Sequence, residues 1–255
     1  MLAKRVIAKL DIKTDNVVKG VHMEGLRVVG KPSELSRKYD AQEADELIYI
    51  DTVASLYGRH HLLDIMQSVA EESFVPITVG GGIRSLDAAR ALLRVGADKI
   101  ALNTYAFENP GFLTEAAEVF GAQAIVASIH AKSEGSDWIC YVENGRERTG
   151  EKVCDWVKEV EALGAGEILL MSIDRDGTYS GFDLDLVRQV ADAVHIPVIA
   201  AGGAGDVSSI GDVLELDGVT GVALASVLHY ERLSVSQIKA DLTRRGIPTR
   251  PIREH

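Results

Sequence analysis

The sequence contains few cysteines, few prolines and few aromatic residues. Its 255 residues include 2 Cys and 6 Pro, and aromatic side chains make up 5% of the chain. Cys140 and Cys154 form neither a CxxC motif nor part of a Cys/His cluster, so we expect no disulfide framework and no metal site. Nothing in the sequence indicates any other cofactor. This cysteine usage favours a reducing compartment, and we expect a cytoplasmic location.

Positive charge is also scarce. The chain has 27 Lys and Arg against 38 Asp and Glu, which gives a formal net charge of -11. Nucleic acids and anionic membranes both bind cationic surfaces, so we expect neither as a partner. The apolar run Val6-Ile7-Ala8 is too short for a signal peptide or a membrane-spanning helix.

Short β-branched runs alternate with longer amphipathic segments along the chain. We predict strands at residues 5–11, 46–51, 76–79, 99–102, 124–129, 167–171, 197–201 and 221–224. We predict helices at residues 32–42, 59–70, 85–94, 110–120, 151–163, 183–193, 207–216 and 235–244, the fourth of them marked by Asn109-Pro110 as a start signal. This alternation predicts an α/β fold with parallel strands, either a closed (βα)8 barrel or an open doubly wound sheet.

An internal repeat favours the barrel over the open sheet. Four landmarks recur in the same order about 120 residues later, and they pair residues 10–13 with 129–132, 44–47 with 165–168, 75–82 with 196–203, and 101–104 with 223–226. Two similar halves closing on each other give a barrel with pseudo-twofold symmetry. We therefore predict one domain over residues 1–255, a TIM barrel of two (βα)4 half-barrels at about residues 1–122 and 123–245.

Two connections are longer than this alternation requires. Residues 131–150 follow the fifth predicted strand, and Asn144-Gly145 is a two-residue turn signal, so we predict a β-hairpin insertion there. Residues 13–31 follow the first strand and contain Lys19. Long loops at the carboxyl ends of barrel strands often carry function.

Glycine-rich turns follow several strands at the end of a barrel where catalysis takes place. Glycine lets backbone amides approach a phosphate closely, and Ser and Thr hydroxyls add donors without charge. Two such groups occupy equivalent positions in the repeat, which predicts a ligand with a phosphate at each end; purely structural turns are the alternative. The first cradle comprises Gly81, Gly82, Asn103 and Thr104, and the second comprises Asp176, Gly177, Gly202, Gly203, Ala225 and Ser226.

Asp11 and His130 also occupy equivalent positions, at the ends of the first and fifth strands. Two ionisable groups on either side of one substrate suit general acid–base catalysis. With an ordinary pKa of about 3.9, Asp11 accepts a proton more readily at neutral pH, whereas His130, with an ordinary pKa of about 6.5, can act either way. The alternatives are a salt-bridged aspartate and a packed, hydrogen-bonded histidine.

Charged residues of alternating sign open four of the strands, at the opposite end of the barrel. They are Arg5, Glu46, Lys99 and Glu167. They could form a ring of ion pairs around the barrel axis, or they could be separately solvated charges at strand starts. The sequence leaves both interpretations open.

Together these motifs resemble the cyclase-subunit family of imidazole glycerol phosphate synthase, from histidine biosynthesis. The resemblance covers nearly the whole chain and rests on residues 1–8, 10–11, 17–20, 45–47, 79–83, 103–104, 164–170, 172–178 and 202–205. It implies a half-barrel duplication and a reaction in which ammonia from a partner glutaminase moves along the barrel axis. The ammonia attacks an open-chain bisphosphate, the phosphoribulosyl formimino derivative of aminoimidazole carboxamide ribotide. The products are imidazole glycerol phosphate and aminoimidazole carboxamide ribotide.

The resemblance also implies roles for particular residues. It assigns the two cradles to the substrate phosphates, Lys19 to a mobile loop over the site, and the four charged strand-opening residues to an ammonia gate. The glutaminase would form a heterodimer with this chain and would dock on the N-terminal face of the barrel, which bears Arg5 and Lys99.

The sequence departs from the family pattern near the expected chemistry. The family has two aspartates, and His130 stands where the second belongs. Lys9 stands where a cysteine is common, on the same strand face as Asp11, so we expect it to lower the pKa of Asp11. These changes also fit a paralogue that conducts ammonia and activates a glutaminase for amidino-sugar (surface polysaccharide) biosynthesis. A related phosphoribosyl isomerase is a third hypothesis, but an isomerase needs no ammonia gate.

Overall fold

The computed structural model describes residues 2–54, 61–70 and 73–252. Within these ranges, parallel strands form a closed ring. Its members are β1 (Arg5–Lys13), β4 (Glu46–Asp51), β5 (Ile77–Gly80), β6 (Lys99–Leu102), β7 (Ile125–Glu134), β10 (Glu167–Ser172), β11 (Val198–Ala201) and β12 (Val219–Leu224). Each pairs with the next in this order, and β12 pairs in turn with β1. This closure confirms the predicted (βα)8 barrel and excludes the open doubly wound sheet.

Helices surround the barrel. Those in the described residues are α1 (Pro32–Ala41), α2 (His61–Ala70), α3 (Leu86–Arg94), α4 (Thr104–Glu108), α5 (Gly111–Phe120), α6 (Val153–Ala162), α7 (Leu184–Ala193), α8 (Val207–Leu214), α9 (Ser226–His229) and α10 (Val235–Arg244). The predicted second helix begins at residue 59, and its first two residues lie outside the described ranges. The short helices α4 and α9 were not predicted. None of the helices described here is long and apolar enough to cross a membrane.

Both faces of the barrel strands are buried, so the strands carry apolar residues almost without interruption. On β1, Val6, Ala8 and Leu10 point outward and pack against the helices. The alternate residues Ile7 and Lys9 point into the lumen. Apolar side chains line the middle of that lumen, and they are Ile7, Ile48, Ile50, Ala101, Val126, Leu169, Met171, Ile199, Ala201 and Ala223.

Two antiparallel arms extend from equivalent barrel strands. The first arm, β2 (Asn16–Val21) and β3 (Glu24–Gly30), follows β1. The second arm, β8 (Asp137–Val142) and β9 (Glu147–Lys152), follows β7. Its turn contains Asn144 and Gly145, which both have positive φ, at 56° and 80°. Both arms therefore lie at the C-terminal end of the barrel, above the lumen.

Candidate active site at the C-terminal end of the barrel

Asp11 and Lys9 lie together at the top of the lumen. Both side chains are buried, and Lys9 Nζ contacts Asp11 Oδ1. Burial alone would raise the pKa of Asp11, but the charges of Lys9 and Lys19 outweigh it, so the pKa is lowered. This direction confirms the expected effect of Lys9. Asp11 is therefore ionised at neutral pH and can accept a proton.

His130 projects into the same space from β7. Its side chain is 6% exposed. Burial, reinforced by the charge of Lys9, lowers the pKa of His130 from 6.5 to about 4, although Asp11 opposes the shift. The ring is therefore neutral at pH 7 and lacks the imidazolium proton that a general acid would donate. Its Nδ1 atom is buried and has no hydrogen-bond partner among the described residues, so it is available to a ligand.

The first cradle forms a pocket beside His130. Gly81, Gly82, Asn103 and Thr104 all line it, as do Ser128 and His130. The side-chain amide of Asn103 has no partner for its oxygen or its nitrogen within the part of the chain that the structure describes. Buried polar groups are normally hydrogen-bonded. The unsatisfied amide and the unsatisfied His130 nitrogen thus indicate a pocket suited to a polar ligand.

The second cradle forms a separate pocket on the other side of the lumen. It is lined by Asp176, Gly177, Gly202, Gly203, Ala225 and Ser226, together with Lys9 and Lys19. Lys19 Nζ donates to both carboxylate oxygens of Asp176, at 2.7 Å each. The backbone amide of Met23, at the tip of the first arm, also donates to Asp176 Oδ2, at 3.0 Å. The first arm is therefore packed onto the second cradle.

The two cradles share a backbone geometry. Gly81 has a φ of 104° and Gly202 a φ of 88°. A Cβ atom on Gly81 would lie 2.3 Å from the Asp51 carbonyl oxygen, and one on Gly202 would lie 2.6 Å from the Ser172 carbonyl oxygen. Only glycine fits either position.

The residues that precede α4 and α9 also have matching backbone angles. Asn103 has φ and ψ of −131° and −91°, and Ala225 has −130° and −81°. The half-barrel division at about residues 1–122 and 123–245 remains a prediction, and this matching geometry supports it.

At the N-terminal end, four charged side chains close a ring, which we call the basal ring. Arg5 donates to Glu46 at 2.7 Å and also contacts Glu167. Lys99 lies 3.3 Å from Glu46 and 2.8 Å from Glu167. Each carboxylate therefore bridges both cations. This arrangement matches the ring alternative and not the alternative of separately solvated charges.

Tyr39 and His229 support β1 from outside the barrel, and neither was predicted from the sequence to have a role. Tyr39 Oη lies 2.6 Å from His229 Nδ1, and His229 Nε2 lies 3.1 Å from the carbonyl oxygen of Lys9. Nε2 must carry the hydrogen, because a carbonyl oxygen only accepts. β12 ends at Leu224, which pairs with Ala8, so His229 supplies a partner for β1 just beyond the end of β12.

Two buried, neutral histidines should lower the free energy of unfolding in acid. Burial is the main cause that lowers the pKa of both His130 and His229 to about 4. Because the unfolded chain binds these protons near pH 6.5, their contribution is complete above that pH and is lost as the pH falls towards 4. We expect each histidine to remove about 2 kcal/mol from the free energy of unfolding between pH 7 and pH 5.

Urea unfolding of wild type and His229→Gln at the two pH values measures this contribution. The variant should show a smaller pH dependence, whereas His195→Gln should behave as wild type, because the His195 side chain is 98% exposed. Equal pH dependence in wild type and His229→Gln would contradict the prediction.

Comparison with known proteins places the chain among barrel proteins of amino-acid biosynthesis. Residues 5–234 match the family described as "Histidine biosynthesis protein". The chain belongs to this family.

The particular relatives are synthase subunits by name. The chain is 46% identical over 250 residues to the "Imidazole glycerol phosphate synthase subunit HisF" of Pyrococcus furiosus, covering 98% of this chain and 99% of that protein. The subunit of the same name from Thermococcus onnurineus has the same identity and coverage. The chain is also 58% identical over 202 residues to the Legionella pneumophila subunit of that name, covering 79% of this chain and 95% of that one.

Proposed function

We propose that this chain is the cyclase subunit of imidazole glycerol phosphate synthase. It would use ammonia to convert the phosphoribulosyl formimino derivative of aminoimidazole carboxamide ribotide into imidazole glycerol phosphate and aminoimidazole carboxamide ribotide. One observation carries the proposal: an ionised, buried Asp11 contacts Lys9 at the top of the lumen, where Lys9 and His130 each line one of two pockets of matching geometry. The similarity to relatives that bear the synthase name over almost their full length supports it.

In this proposal each cradle holds one phosphate of the substrate. Backbone amides at the glycine turns, the amide of Asn103 and the hydroxyls of Thr104 and Ser226 supply uncharged donors. In the second cradle Lys19 neutralises Asp176, which would otherwise repel a phosphate. This explains how a protein with a net charge of -11 can hold a dianionic group.

Asp11 is the proposed general base. Ammonia that adds to the ketone carbon of the substrate becomes positively charged and must lose a proton. An ionised carboxylate at the top of the lumen can take that proton. His130 is the proposed substrate-binding partner on the opposite side, because its neutral ring offers an unsatisfied nitrogen to the ligand.

The proposed ammonia route runs from the basal ring through the lumen to Asp11. Above the ring, the lumen is lined by apolar side chains such as Ile48 and Leu169. Neutral ammonia can cross such a lining, whereas the ammonium ion pays a large desolvation cost. The ring itself must open, because its ion pairs span the entrance. We therefore assign Arg5, Glu46, Lys99 and Glu167 the role of an ammonia gate.

The proposed partner is a glutaminase subunit that forms a heterodimer by docking on the N-terminal face. Two large apolar side chains are exposed there, since Leu2 lies just before β1 and Phe74 lies just before β5. They are 86% and 91% exposed. Aromatic and apolar side chains of this kind often anchor protein interfaces.

Phe74→Ser should weaken binding of the glutaminase by at least about tenfold, because truncation of an aromatic hot-spot residue typically costs about 2 kcal/mol or more and about 1.4 kcal/mol is tenfold in affinity. Val28→Ser serves as the control, since Val28 is exposed on the first arm at the opposite end of the barrel. Isothermal titration of the two subunits measures both affinities. If Val28→Ser weakened binding and Phe74→Ser did not, the docking face would be wrong.

The two other hypotheses are less well supported. The ammonia-conducting paralogue for amidino-sugar formation is not favoured, because relatives at 46–58% identity carry the synthase name. The isomerase hypothesis leaves the closed basal ring without a role.

An ammonium-driven assay on the isolated chain tests the proposal. The purified chain, the bisphosphate substrate and ammonium should give both products without any partner subunit, and omission of ammonium should abolish turnover. Failure to form imidazole glycerol phosphate at saturating ammonium would reject the function.

A further inference from the structure

Lys9 occupies an unusual place for a lysine. Its side chain is 4% exposed and lies on the lumen face of β1. It contacts Asp11, the proposed base, and it also lines the pocket of the second cradle. A buried ammonium is costly unless it is paired, and the contact with Asp11 offsets that cost. Lys9 thus reaches both the proposed base and the space proposed for the substrate.

Addition of ammonia to a ketone needs a proton donor as well as a base. The negative charge that develops on the carbonyl oxygen must be neutralised. His130 is neutral, and both carboxylate oxygens of Asp176 accept from Lys19. Asp11 is ionised and has no proton to give. Lys9 has an ammonium group that reaches the pocket and the base together.

We propose that Lys9 is the general acid of this site and acts with Asp11 as a paired acid and base. This inference rests on the proposed function and names a further catalytic residue for it. The ribulosyl part of the substrate carries the ketone that ammonia attacks.

Lys9 and Asp11 each transfer one proton in the addition step. The ammonia nitrogen forms a bond to the ketone carbon, and the π bond of the C=O group breaks towards oxygen. The oxygen takes one proton from Lys9 Nζ, and the nitrogen gives one proton to Asp11. The result is a carbinolamine, a neutral lysine amine and a neutral aspartic acid. Because the two side chains are in contact, one proton transfer from Asp11 to Lys9 restores the starting ion pair, and no oxidant or reductant is needed.

The position of Lys9 also suits a site that receives ammonia through the barrel lumen. Ile7 precedes Lys9 on the same strand face and belongs to the apolar lining of the lumen. On the β1 side of the lumen, Lys9 and then Asp11 therefore follow the apolar Ile7 towards the C-terminal end of the barrel. The base and the acid lie at the end of the route, where the nucleophile and the ketone would come together.

Two substitutions of Lys9 distinguish proton donation by its side chain from an effect of its positive charge alone. Lys9→Met keeps the length of the side chain but loses charge and proton. Lys9→Arg keeps the charge, but a guanidinium does not release its proton near neutral pH. We expect both variants to lower ammonium-driven kcat by at least about 100-fold, with the KM for the bisphosphate changed less than about fivefold. Lys13→Met is the control, because Lys13 is exposed on the same strand.

Thermal unfolding and the dissociation constant for imidazole glycerol phosphate check that each variant is folded and still binds. Lys9→Gln, which is shorter and neutral, replaces Lys9→Met if that variant does not fold, and the same loss of kcat is expected. If folded Lys9→Arg retains kcat within threefold of wild type, Lys9 acts by charge and the proposal is overturned. It is equally overturned if a folded neutral variant retains kcat. An inactive wild type would reject both the cyclase function and the role of Lys9. An active wild type with active Lys9 variants would reject only the role of Lys9, so the two failures are distinguishable.

Discussion

Asp11→Asn should reduce ammonium-driven turnover of the isolated chain by at least about 100-fold, because asparagine cannot accept the proton that the added ammonia must lose. The side chain keeps its size, so binding of the bisphosphate should change little. Asp11 is buried beside Lys9, and the variant leaves that ammonium without its carboxylate. Steady-state kinetics with saturating ammonium measures kcat and KM separately.

Asp15→Asn is the matched control, since Asp15 is an exposed aspartate in the turn after β1. It should retain wild-type turnover. A loss of kcat below about threefold in Asp11→Asn would show that Asp11 is not the base. A rise in KM with unchanged kcat would point instead to a role in uniform binding of the substrate.

Glu167→Ala should lower glutamine-driven turnover and leave ammonium-driven turnover nearly unchanged. Glu167 bridges Arg5 and Lys99 in the basal ring. Its removal therefore opens the ring and leaves the candidate active site at the C-terminal end of the barrel unchanged. With the glutaminase bound, glutamine-driven turnover should fall about tenfold or more relative to glutamine hydrolysis, because ammonia escapes before it reaches Asp11. Turnover with added ammonium should change by less than about threefold. Paired assays of glutamate release and product formation measure this coupling.

Glu215→Ala controls for loss of a carboxylate near the same end of the barrel. Glu215 is exposed at the end of α8 and lies outside the basal ring, and its variant should remain coupled. If ammonium-driven and glutamine-driven turnover fell together in Glu167→Ala, the ring would be a structural feature and not a gate.

Periodicity and the internal repeat together were sufficient to predict the barrel. The predicted strands at residues 46–51 and 99–102 coincide with β4 and β6, because buried parallel strands need continuous apolar runs of a recognisable length. The order of these runs and their repetition led to the closed architecture. The common location of the four basal-ring residues was also foreseeable, since each opens a strand and therefore lies on the same end of the barrel. Their closure into a ring of ion pairs was not, because the sequence left separately solvated charges as an alternative.

Short and polar elements were harder to predict. The first arm lacks the apolar alternation of a buried strand: all residues of β3 are exposed or only partly buried. Helices α4 and α9 have five and four residues, too few for a helical period. His229 lies on α9, so its hydrogen bond to the Lys9 carbonyl could not be inferred from the sequence.

The charge state of the site depends on three-dimensional distances that spacing does not give. Lys9 was expected to lower the pKa of Asp11, because residues two apart share a strand face. The effect of Lys9 on His130 depends on the approach of β1 and β7 across the lumen, and burial contributes more. The neutral state of His130, which disfavours it as the acid, therefore emerged only from the structure.

In the proposed function, this barrel itself closes the imidazole ring with ammonia. The direct test supplies ¹⁵N-labelled ammonium and the bisphosphate substrate to the isolated chain and follows the products by NMR. We expect imidazole glycerol phosphate with one labelled ring nitrogen, and unlabelled aminoimidazole carboxamide ribotide. If the isolated chain formed no imidazole glycerol phosphate, or formed it without the label, this function would be wrong.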